Sequence, residues 1–436
     1  MPADDGGRRA GGTNGLTRVA MVAGTYRPER DGVAHYVLRL REALAGRGVS
    51  SVVLTTREAA LAAPDGGVRG VVYGWGPSDL PALVRGVGEA VRGGAGVVHV
   101  QHAAGTYSFR RAVFLLPPLL RAAGVRVPIV TTVHEYAWWE WEPPGVPPAL
   151  VEWAKTWGQR RGLWDREDGF LLTGSDGLVT TNVPAENAIT ERLPHLARRL
   201  RRIPLVANVD VFPVDRGEAR RGLRSRFGWP PDAEVVVYFG FLHPVKGIEN
   251  LLEAHAGVLR TRPRARLLLV GGAESLALPG REASSYWEDL VALVGRLGLD
   301  DTVAMTGYAP EDEASRLLSG SDVGALPFNG GVTLKSGTLL ALLGHGLPTV
   351  VTRSDPPEPD LSDGGISRLV ERRDVPGISG AVSGLLADPA ERERLAGAGR
   401  AYVRNLSWDA AARAHAEVYE GVLRGREKGG RTAWRP

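Results

Sequence analysis

Short runs of apolar, mostly β-branched residues alternate along the chain with stretches of helical periodicity. The first half contains five such runs, at residues 18–24, 49–56, 96–102, 127–134 and 177–182. A second series follows at residues 234–240, 265–272, 302–308, 322–328 and 347–352. Repeated strand–helix units are typical of parallel sheets with crossover helices. The pattern therefore predicts an α/β protein with two doubly wound, Rossmann-like domains.

The two series meet between Arg202 and Asp215, and this stretch is the predicted domain junction. We expect a first domain at residues 16–205, a second domain at 206–406, and a polar, glycine-rich, disordered leader at 1–15. From Ser407 to Leu423 an amphipathic pattern follows a serine cap, which predicts a helix in the final segment, 407–436. The amphipathic pattern by itself does not determine which of the two domains this helix packs on.

Composition limits the classes of function. The 436-residue chain is 43% hydrophobic and 23% charged, as soluble globular proteins are. It contains no cysteine, which excludes disulfides, thiolate metal sites and cysteine nucleophiles. The absence of a long apolar run and of a secretory signal leads us to expect a cytoplasmic protein. A net charge of +4 suits anionic ligands, and we expect no nucleic-acid partner.

Ligands of open parallel sheets bind beyond the carboxyl ends of the strands, so the loops after the predicted strands are the candidate sites. Asp31 and Gly32 follow the first strand and directly precede a helix, where backbone amides can face a phosphate. Gly240 ends the first strand of the second domain, and Lys246 stands just before the next helix. Alternatively, these residues serve only chain geometry and helix capping.

The stretch from Phe328 to Thr352 is a polar glycine loop followed by an apolar helix and a strand. The loop supplies flexible backbone, hydroxyl groups and one cation from Gly331, Val332, Thr333, Leu334, Lys335 and Ser336, and it contains no carboxylate. Such a loop suits a phosphate or diphosphate, because anions are favoured where free amides and a lysine converge. The alternative is a loop that only caps the helix.

Several common motifs are absent. No G-x-G-x-x-G opens a helix after a strand, and no G-x-x-x-x-G-K-[ST] occurs. No D-x-D pair is present either, so carboxylate-held metal between phosphates is not indicated. We therefore expect neither a cofactor nor a metal ion.

An aromatic segment in the first half is a candidate acceptor pocket. Tyr136, Trp138 and Trp139 can form a stacking wall, and His102 ends a nearby predicted strand. The alternative is a helical core layer. The arginine-rich stretch at residues 195–204 is either a solvated helix face or a peripheral contact with anionic lipid.

Taken together, the motifs resemble a known family. The segments "GFLHPVKGIENLLEAH", "LLLVGG" and "LLGHGLPTVVT" are similar to the donor domain of retaining GT-B glycosyltransferases of family four, the glycosyl transferases group 1. The likeness extends from about Gly240 to Glu420, whereas the first half shares mainly "PERDGVAHYVLRLREALAGRGV" and "TTVHEY".

The resemblance implies an enzyme of the retaining hexosyltransferase type (EC 2.4). Its implied fold is GT-B: two facing Rossmann-like domains, with the last helix returning to the first domain. The second domain would bind a nucleotide-diphosphate sugar, and the first an acceptor that is a carbohydrate, a natural product or a lipid.

Residue by residue, the resemblance implies a catalytic role for Lys246, at the donor phosphate, and for His134, beside the transferred sugar. Gly32 matches a glycine near the diphosphate, and Tyr308 and Ala309 match the segment facing the base. The full expected donor-binding set is Asp31, Gly32, Gly240, Lys246, Gly271, Tyr308, Ala309, Gly331, Val332, Thr333, Leu334, Lys335 and Ser336.

The chain departs from the family pattern at two places. Phe241 replaces a common arginine, a loss that Lys335 would offset, and Thr333 and Ala341 replace a pair of glutamates. A loop lined by neutral groups would favour a deoxygenated or aminated sugar. Two alternatives stay open: a weakly active or inactive nucleotide-sugar-binding partner protein, and a membrane-associated lipid glycosyltransferase.

Overall fold

The computed structural model describes residues 16–63 and 66–428, so the predicted leader lies outside the described residues. The chain forms two compact units. In its described part, the first comprises residues 16–28, 33–63, 66–204 and 408–428. The second comprises Leu205–Ser407 together with the short segment Glu29–Gly32.

The first unit is built on a seven-stranded parallel sheet in the order β3-β2-β1-β4-β5-β6-β7. Its strands are β1 (Arg18–Ala23), β2 (Ser50–Thr56), β3 (Val68–Val72), β4 (Val97–His102), β5 (Ile129–Val133), β6 (Gly177–Thr180) and β7 (Leu200–Arg202). The helices between them are α1 (Gly32–Ala45), α2 (Arg57–Leu61), α3 (Leu80–Arg92), α4 (Leu116–Ala122), α5 (Pro148–Arg160), α6 (Phe170–Thr173) and α7 (Val183–Arg192). Every residue of β4 and β5 is buried, as expected for central strands covered on both faces.

The second unit contains a six-stranded parallel sheet in the order β10-β9-β8-β11-β12-β13. Its strands are β8 (Glu234–Phe239), β9 (Ala265–Val270), β10 (Val303–Met305), β11 (Val323–Leu326), β12 (Thr349–Thr352) and β13 (Arg368–Val370). Its helices are α8 (Arg216–Arg226), α9 (Ile248–Leu259), α10 (Gly280–Arg296), α11 (Glu311–Gly320), α12 (Gly337–Gly344), α13 (Val375–Ala387) and α14 (Pro389–Val403). In both sheets the strand order reverses beside the first strand of the unit, as in doubly wound folds.

The last helix, α15 (Trp408–Lys428), packs on the first unit. The Tyr419 hydroxyl lies 2.7 Å from Nδ1 of His99, and the His415 ring lies 3.3 Å from the Tyr36 hydroxyl. At the start of β6, the absence of a side chain on Gly177 makes room for valines of this helix. The two predicted Rossmann-like domains and the return of the final helix are thus confirmed.

Hydrophobic pattern alone missed three edge strands: β3, β7 and β13. The interpretation of residues 195–204 as one helix face is wrong. A 3₁₀ turn at Pro194–Arg199 is followed by β7, which pairs in parallel with β6. Short edge strands bury little apolar surface, so their pattern is weak. Among the described residues, no helix is long and apolar enough to cross a membrane.

Candidate functional site

A corner of closely packed glycines lies at the carboxyl edge of the second sheet. Gly240 and Gly271 end β8 and β9 with φ of +128° and +145°, values that side chains rarely tolerate. A Cβ on Gly271 would lie 2.0 Å from the Gly240 carbonyl oxygen. The Gly271 amide donates to the Gly307 carbonyl at 3.1 Å, and the Leu242 amide donates to the Gly272 carbonyl at 2.9 Å. This edge therefore presents backbone, which a ligand can approach closely.

Lys246 lies beside this corner, at the end of a 3₁₀ turn before α9. Its ammonium stands 3.8 Å from the centre of the Phe328 ring, and it forms no ion pair with any residue that the structure describes. Gly247 adopts φ +65°, and a Cβ there would meet the Pro327 carbonyl oxygen at 2.3 Å, so both backbone angle and packing require glycine. Burial lowers the pKa of Lys246 to about 8. At neutral pH the site thus holds a half-buried cation that lacks a protein anion.

The loop after β11 is fixed to its neighbours through its backbone. The Asn329 amide donates to the Val245 carbonyl at 2.9 Å, which ties the loop to the lysine turn. The Val332 amide donates to the Thr352 carbonyl at 2.8 Å. Gly331, at φ +82°, approaches the segment after β12 so closely that a Cβ would lie 2.4 Å from its backbone. The loop is therefore preorganised before any ligand binds.

The loop passes directly into α12. The Ser336 hydroxyl accepts from the Leu339 amide at 3.3 Å and lies 2.7 Å from the Thr338 hydroxyl, so Ser336 is the N-cap. The amides of Gly337 and Thr338 have no hydrogen-bond acceptor within the described ranges. Lys335 is exposed and has no ion pair there. The helix start thus retains two free donors next to one exposed cation.

One functional group near this loop was missed by the sequence analysis. The Leu334 amide donates to Oε2 of Glu358 at 3.2 Å, which places a carboxylate against a loop that has none of its own. Thr333, on the other side, uses its carbonyl to accept from the Ser336 amide at 3.0 Å. No motif marks Glu358, which lies 24 residues beyond its partner in the proline-rich segment after β12.

Tyr308 and Ala309 follow β10 on the other side of the glycine corner. The Tyr308 side chain is 63% exposed, whereas Ala309 packs on the core of the second unit. A Cβ on Gly272 would stand 3.5 Å from the Tyr308 amide nitrogen. The exposed ring and the neighbouring backbone can form one wall of a pocket for a planar group.

The segment from Glu29 to Gly32 is grouped with the second unit. Arg30 forms an ion pair with Glu274 at 2.7 Å, and its carbonyl accepts from the Leu276 amide at 2.9 Å. Asp31 and Gly32 follow in the same segment, and Gly32 is the first residue of α1. A Cβ on Gly32 would meet no atom within 4 Å, so packing in this structure does not require glycine there.

His134 follows β5 in the first unit and is part of a polar network. Its Nε2 lies 3.0 Å from Oε1 of Gln101, and because an amide oxygen can only accept, Nε2 carries the proton. The ring also packs edge-on against Tyr36, with 4.9 Å between centroids. Burial lowers the pKa of His134 to about 3, so the ring is neutral at pH 7. Its Nδ1 lone pair is left as an acceptor.

His102 and Tyr136 are held by internal partners. His102 Nε2 lies 3.1 Å from Oδ1 of Asp168, and the Tyr136 hydroxyl donates to Asp165 at 2.7 Å. Burial lowers the pKa of His102 and the Asp168 carboxylate raises it, with a net shift upward. Burial, with Asp168 nearby, raises the pKa of Glu167 to about 7. This buried acidic group was not predicted, and its one signal in the sequence is three carboxylates in four residues, Asp165, Glu167 and Asp168.

The two tryptophans of the predicted acceptor wall have different surroundings. Trp138 is 53% exposed, with the Phe109 ring 6.1 Å away, and is accessible to a ligand. Trp139 is partly buried, with the Arg111 guanidinium 3.7 Å from its ring centre. Of the four predicted acceptor residues, the described structure therefore leaves Trp138 as the one with a large exposed surface.

Two parallel-sheet, Rossmann-like units with a C-terminal helix on the first define a GT-B class of fold. The same architecture occurs in the solved structure of sucrose-phosphate synthase from Thermosynechococcus elongatus, with a TM-score of 0.65 at 20% identity, covering 94% of this chain and 100% of that one. In sequence, residues 233–388 match the family described as Glycosyl transferases group 1. This matching segment carries the glycine corner, Lys246 and the loop after β11, so the candidate site lies in the part of the chain that is similar to that family.

Curated relatives carry related names. A D-inositol 3-phosphate glycosyltransferase from Segniliparus rotundus is 27% identical over 59% of this chain and 55% of its own length. Another, from Kineococcus radiotolerans, is 27% identical over 91% of both chains. The family resemblance inferred from the motifs is confirmed by these matches. The chain spans about half the length of the Segniliparus relative that it matches.

Proposed function

We propose that this chain is a glycosyltransferase that moves a sugar from a nucleotide-diphosphate sugar to an acceptor hydroxyl, with retention of anomeric configuration and without a metal ion or cofactor. The family match of residues 233–388 and the two-unit fold support the transferase class. Retention rests on the family resemblance of the donor-domain motifs.

The observation that carries the proposal is the unpaired ammonium of Lys246. A half-buried cation without a counter-ion is costly, and an anionic ligand would remove that cost. The glycine corner beside it admits close approach of phosphate oxygens. The free amides of Gly337 and Thr338 at the start of α12 lie close to this corner, since a Cβ on Gly240 would stand 2.9 Å from the Thr338 methyl group. A diphosphate has the charge and the acceptors that these groups require.

In the proposed reaction, Lys246 and the helix amides stabilise the negative charge that develops on the leaving diphosphate. The bond between the anomeric carbon and the phosphate oxygen breaks, and the acceptor oxygen bonds to the same face of that carbon. The acceptor proton passes to the leaving phosphate oxygen, so no protein base is needed. Neutral His134 would accept a hydrogen bond from a sugar hydroxyl through Nδ1 and so position the sugar.

The acceptor would bind on the first unit. The exposed face of Trp138 suits the apolar face of a carbohydrate, a natural product or a lipid. We propose a cytoplasmic location, with no nucleic-acid partner.

The test is a turnover assay with UDP-glucose and GDP-mannose as donors and a panel of carbohydrate, polyketide-like and lipid acceptors. We expect release of nucleoside diphosphate and an α-linked product from an α-linked donor, as judged by the anomeric proton coupling in NMR. Activity should persist in EDTA. A β-linked product would refute retention, and loss of activity in EDTA that returns with added Mg²⁺ would refute metal independence.

A further inference from the structure

Glu358 is a half-buried carboxylate without a cation. One oxygen, Oε2, accepts from the Leu334 amide at 3.2 Å. Within residues 16–63 and 66–428, no lysine, arginine or histidine pairs with Glu358, and Oε1 has no hydrogen-bond donor. Asp322, another carboxylate held against backbone in this unit, differs in having a basic partner, Arg224 at 2.8 Å. Glu358 therefore retains one strong acceptor that the protein does not use.

The position of this carboxylate is set by the backbone rather than by an ion pair. The Val332 amide holds the donor loop to the Thr352 carbonyl, and Gly331 closes against Arg353. In the turn that follows, the Ser354 hydroxyl donates to the Pro356 carbonyl at 3.0 Å. These contacts hold the segment that carries Glu358 against the loop after β11, with the carboxylate beside Leu334.

The chemistry of a sugar matches what Glu358 offers. A transferred sugar presents several hydroxyl donors, and the loop residues from Gly331 to Ser336 offer hydroxyls, backbone and one lysine but no carboxylate to accept from them. A hydrogen bond to an ionised carboxylate is stronger than one to a neutral oxygen. An amino group on the sugar would bind more strongly still, because its positive charge is opposite to that of the carboxylate.

We propose that Glu358 is a specificity residue for the donor sugar: Oε1 accepts from a hydroxyl or ammonium group of the sugar while Oε2 stays on the Leu334 amide. The inference rests on the proposed function and names a residue that recognises its donor. It also corrects the expectation of a neutral lining. The loop itself lacks a carboxylate, but the turn after β12 brings one to it from a distant part of the sequence.

The experiment compares the parent chain with Glu358→Gln by titration calorimetry, using two probe pairs: UDP with UDP-glucose, and GDP with GDP-mannose. Glutamine keeps an oxygen for the Leu334 amide but removes the charge. We expect about a tenfold loss of affinity for the nucleotide sugar that the parent binds, the size of one charged hydrogen bond. Affinity for the matching nucleoside diphosphate should stay within about twofold.

Deoxy and aminodeoxy forms of the same sugar locate the contact. When the contacted hydroxyl is absent, parent and variant should bind alike, because the coupling between the two groups has been removed. If the sugar carries an amino group at that position, Glu358→Gln should lower its affinity by a larger factor than it lowers the affinity of the hydroxyl form. Asp360→Asn is the matched control, since Asp360 is exposed two residues further on, and both affinities should stay within about twofold.

Equal loss for the nucleoside diphosphate and the nucleotide sugar would overturn the inference, because it would mean that Glu358 only shapes the loop. Unchanged affinity for both ligands would overturn it too. If the parent binds no nucleoside diphosphate, the proposed function fails and this inference fails with it. The first two outcomes leave the proposed function standing, so the two failures are distinguishable.

Discussion

The loops that follow a central strand in each unit use their charged groups in opposite ways. After β5 of the first unit, the buried Asp165 is satisfied internally: it accepts from Tyr136 and from the backbone amides of Glu167 and Asp168. In the second unit, Lys246 after β8 has no anion and Glu358 after β12 has no cation among the described residues. Internal partners support a structural role for Asp165, whereas a half-buried charge without a partner, as at Lys246, supports a role in ligand binding.

The largest expected effect is on the stability of the first unit. Asp165→Ala removes the acceptor of one hydroxyl and two amides, each buried, and should lower the free energy of unfolding by about 2 to 4 kcal/mol. Urea denaturation followed by tryptophan fluorescence measures this. Glu142→Ala, an exposed change in the same segment, should stay within about 0.5 kcal/mol. A loss for Asp165→Ala no larger than that of the control would contradict the structural role.

The next effect is on ligand binding in the second unit. Lys246→Ala should weaken binding of nucleoside diphosphate by about 1.5 to 3 kcal/mol, since a charged hydrogen bond is lost. Its free energy of unfolding should not fall comparably, because a half-buried unpaired charge has been removed. Lys335→Ala should weaken binding of nucleoside diphosphate less, by about 0.5 to 1 kcal/mol, because that cation is exposed. Calorimetry with nucleoside and nucleoside diphosphate checks both, and an equal loss for the uncharged nucleoside would exclude a phosphate contact.

The smallest effect is on pH dependence. With a pKa of about 8, Lys246 is charged at pH 7 and loses its proton as the pH rises through 8. The diphosphate is already fully ionised above pH 7.5, its last pKa being about 6. Binding should therefore weaken by up to about tenfold between pH 7.5 and 9, by proton linkage. Lys246→Arg should give a flat profile because guanidinium stays charged. A parent profile as flat as that of the arginine variant would show that Lys246 does not contact the phosphate.

Much of the fold was predictable because the parallel strands are continuous apolar runs. All ten predicted strands occur, and the omitted β3, β7 and β13 lie toward sheet edges, where partial exposure weakens the pattern. The glycine corner was predictable in kind as well, because glycine after a parallel strand signals close approach of backbone. The short distance between the two glycines was not predictable, because the contact of Gly271 with Gly240 joins two loops 31 residues apart in the chain.

Within the candidate site, the residues predicted from the sequence lie on strand-to-helix loops, because ligands of parallel sheets bind at the carboxyl ends of the strands. Their functional assignments remain predictions. Three residues predicted to contact the acceptor show what local pattern does not predict. Trp138 is exposed, whereas Tyr136 and His102 are hydrogen-bonded to buried carboxylates. The identity of a side chain does not reveal whether a distant segment supplies its partner.

By itself the sequence determined the two sheets, the family resemblance and the presence of an isolated lysine before a helix, because these depend on local periodicity and on short contiguous motifs. Only the tertiary structure decided which charges have partners. It brought Glu358 to Leu334, Phe328 to Lys246 and Gln101 to His134. Each pair joins residues separated by tens of positions, and the free energy of a charged or polar group depends on the atoms within a few ångströms of it rather than on its neighbours in the chain.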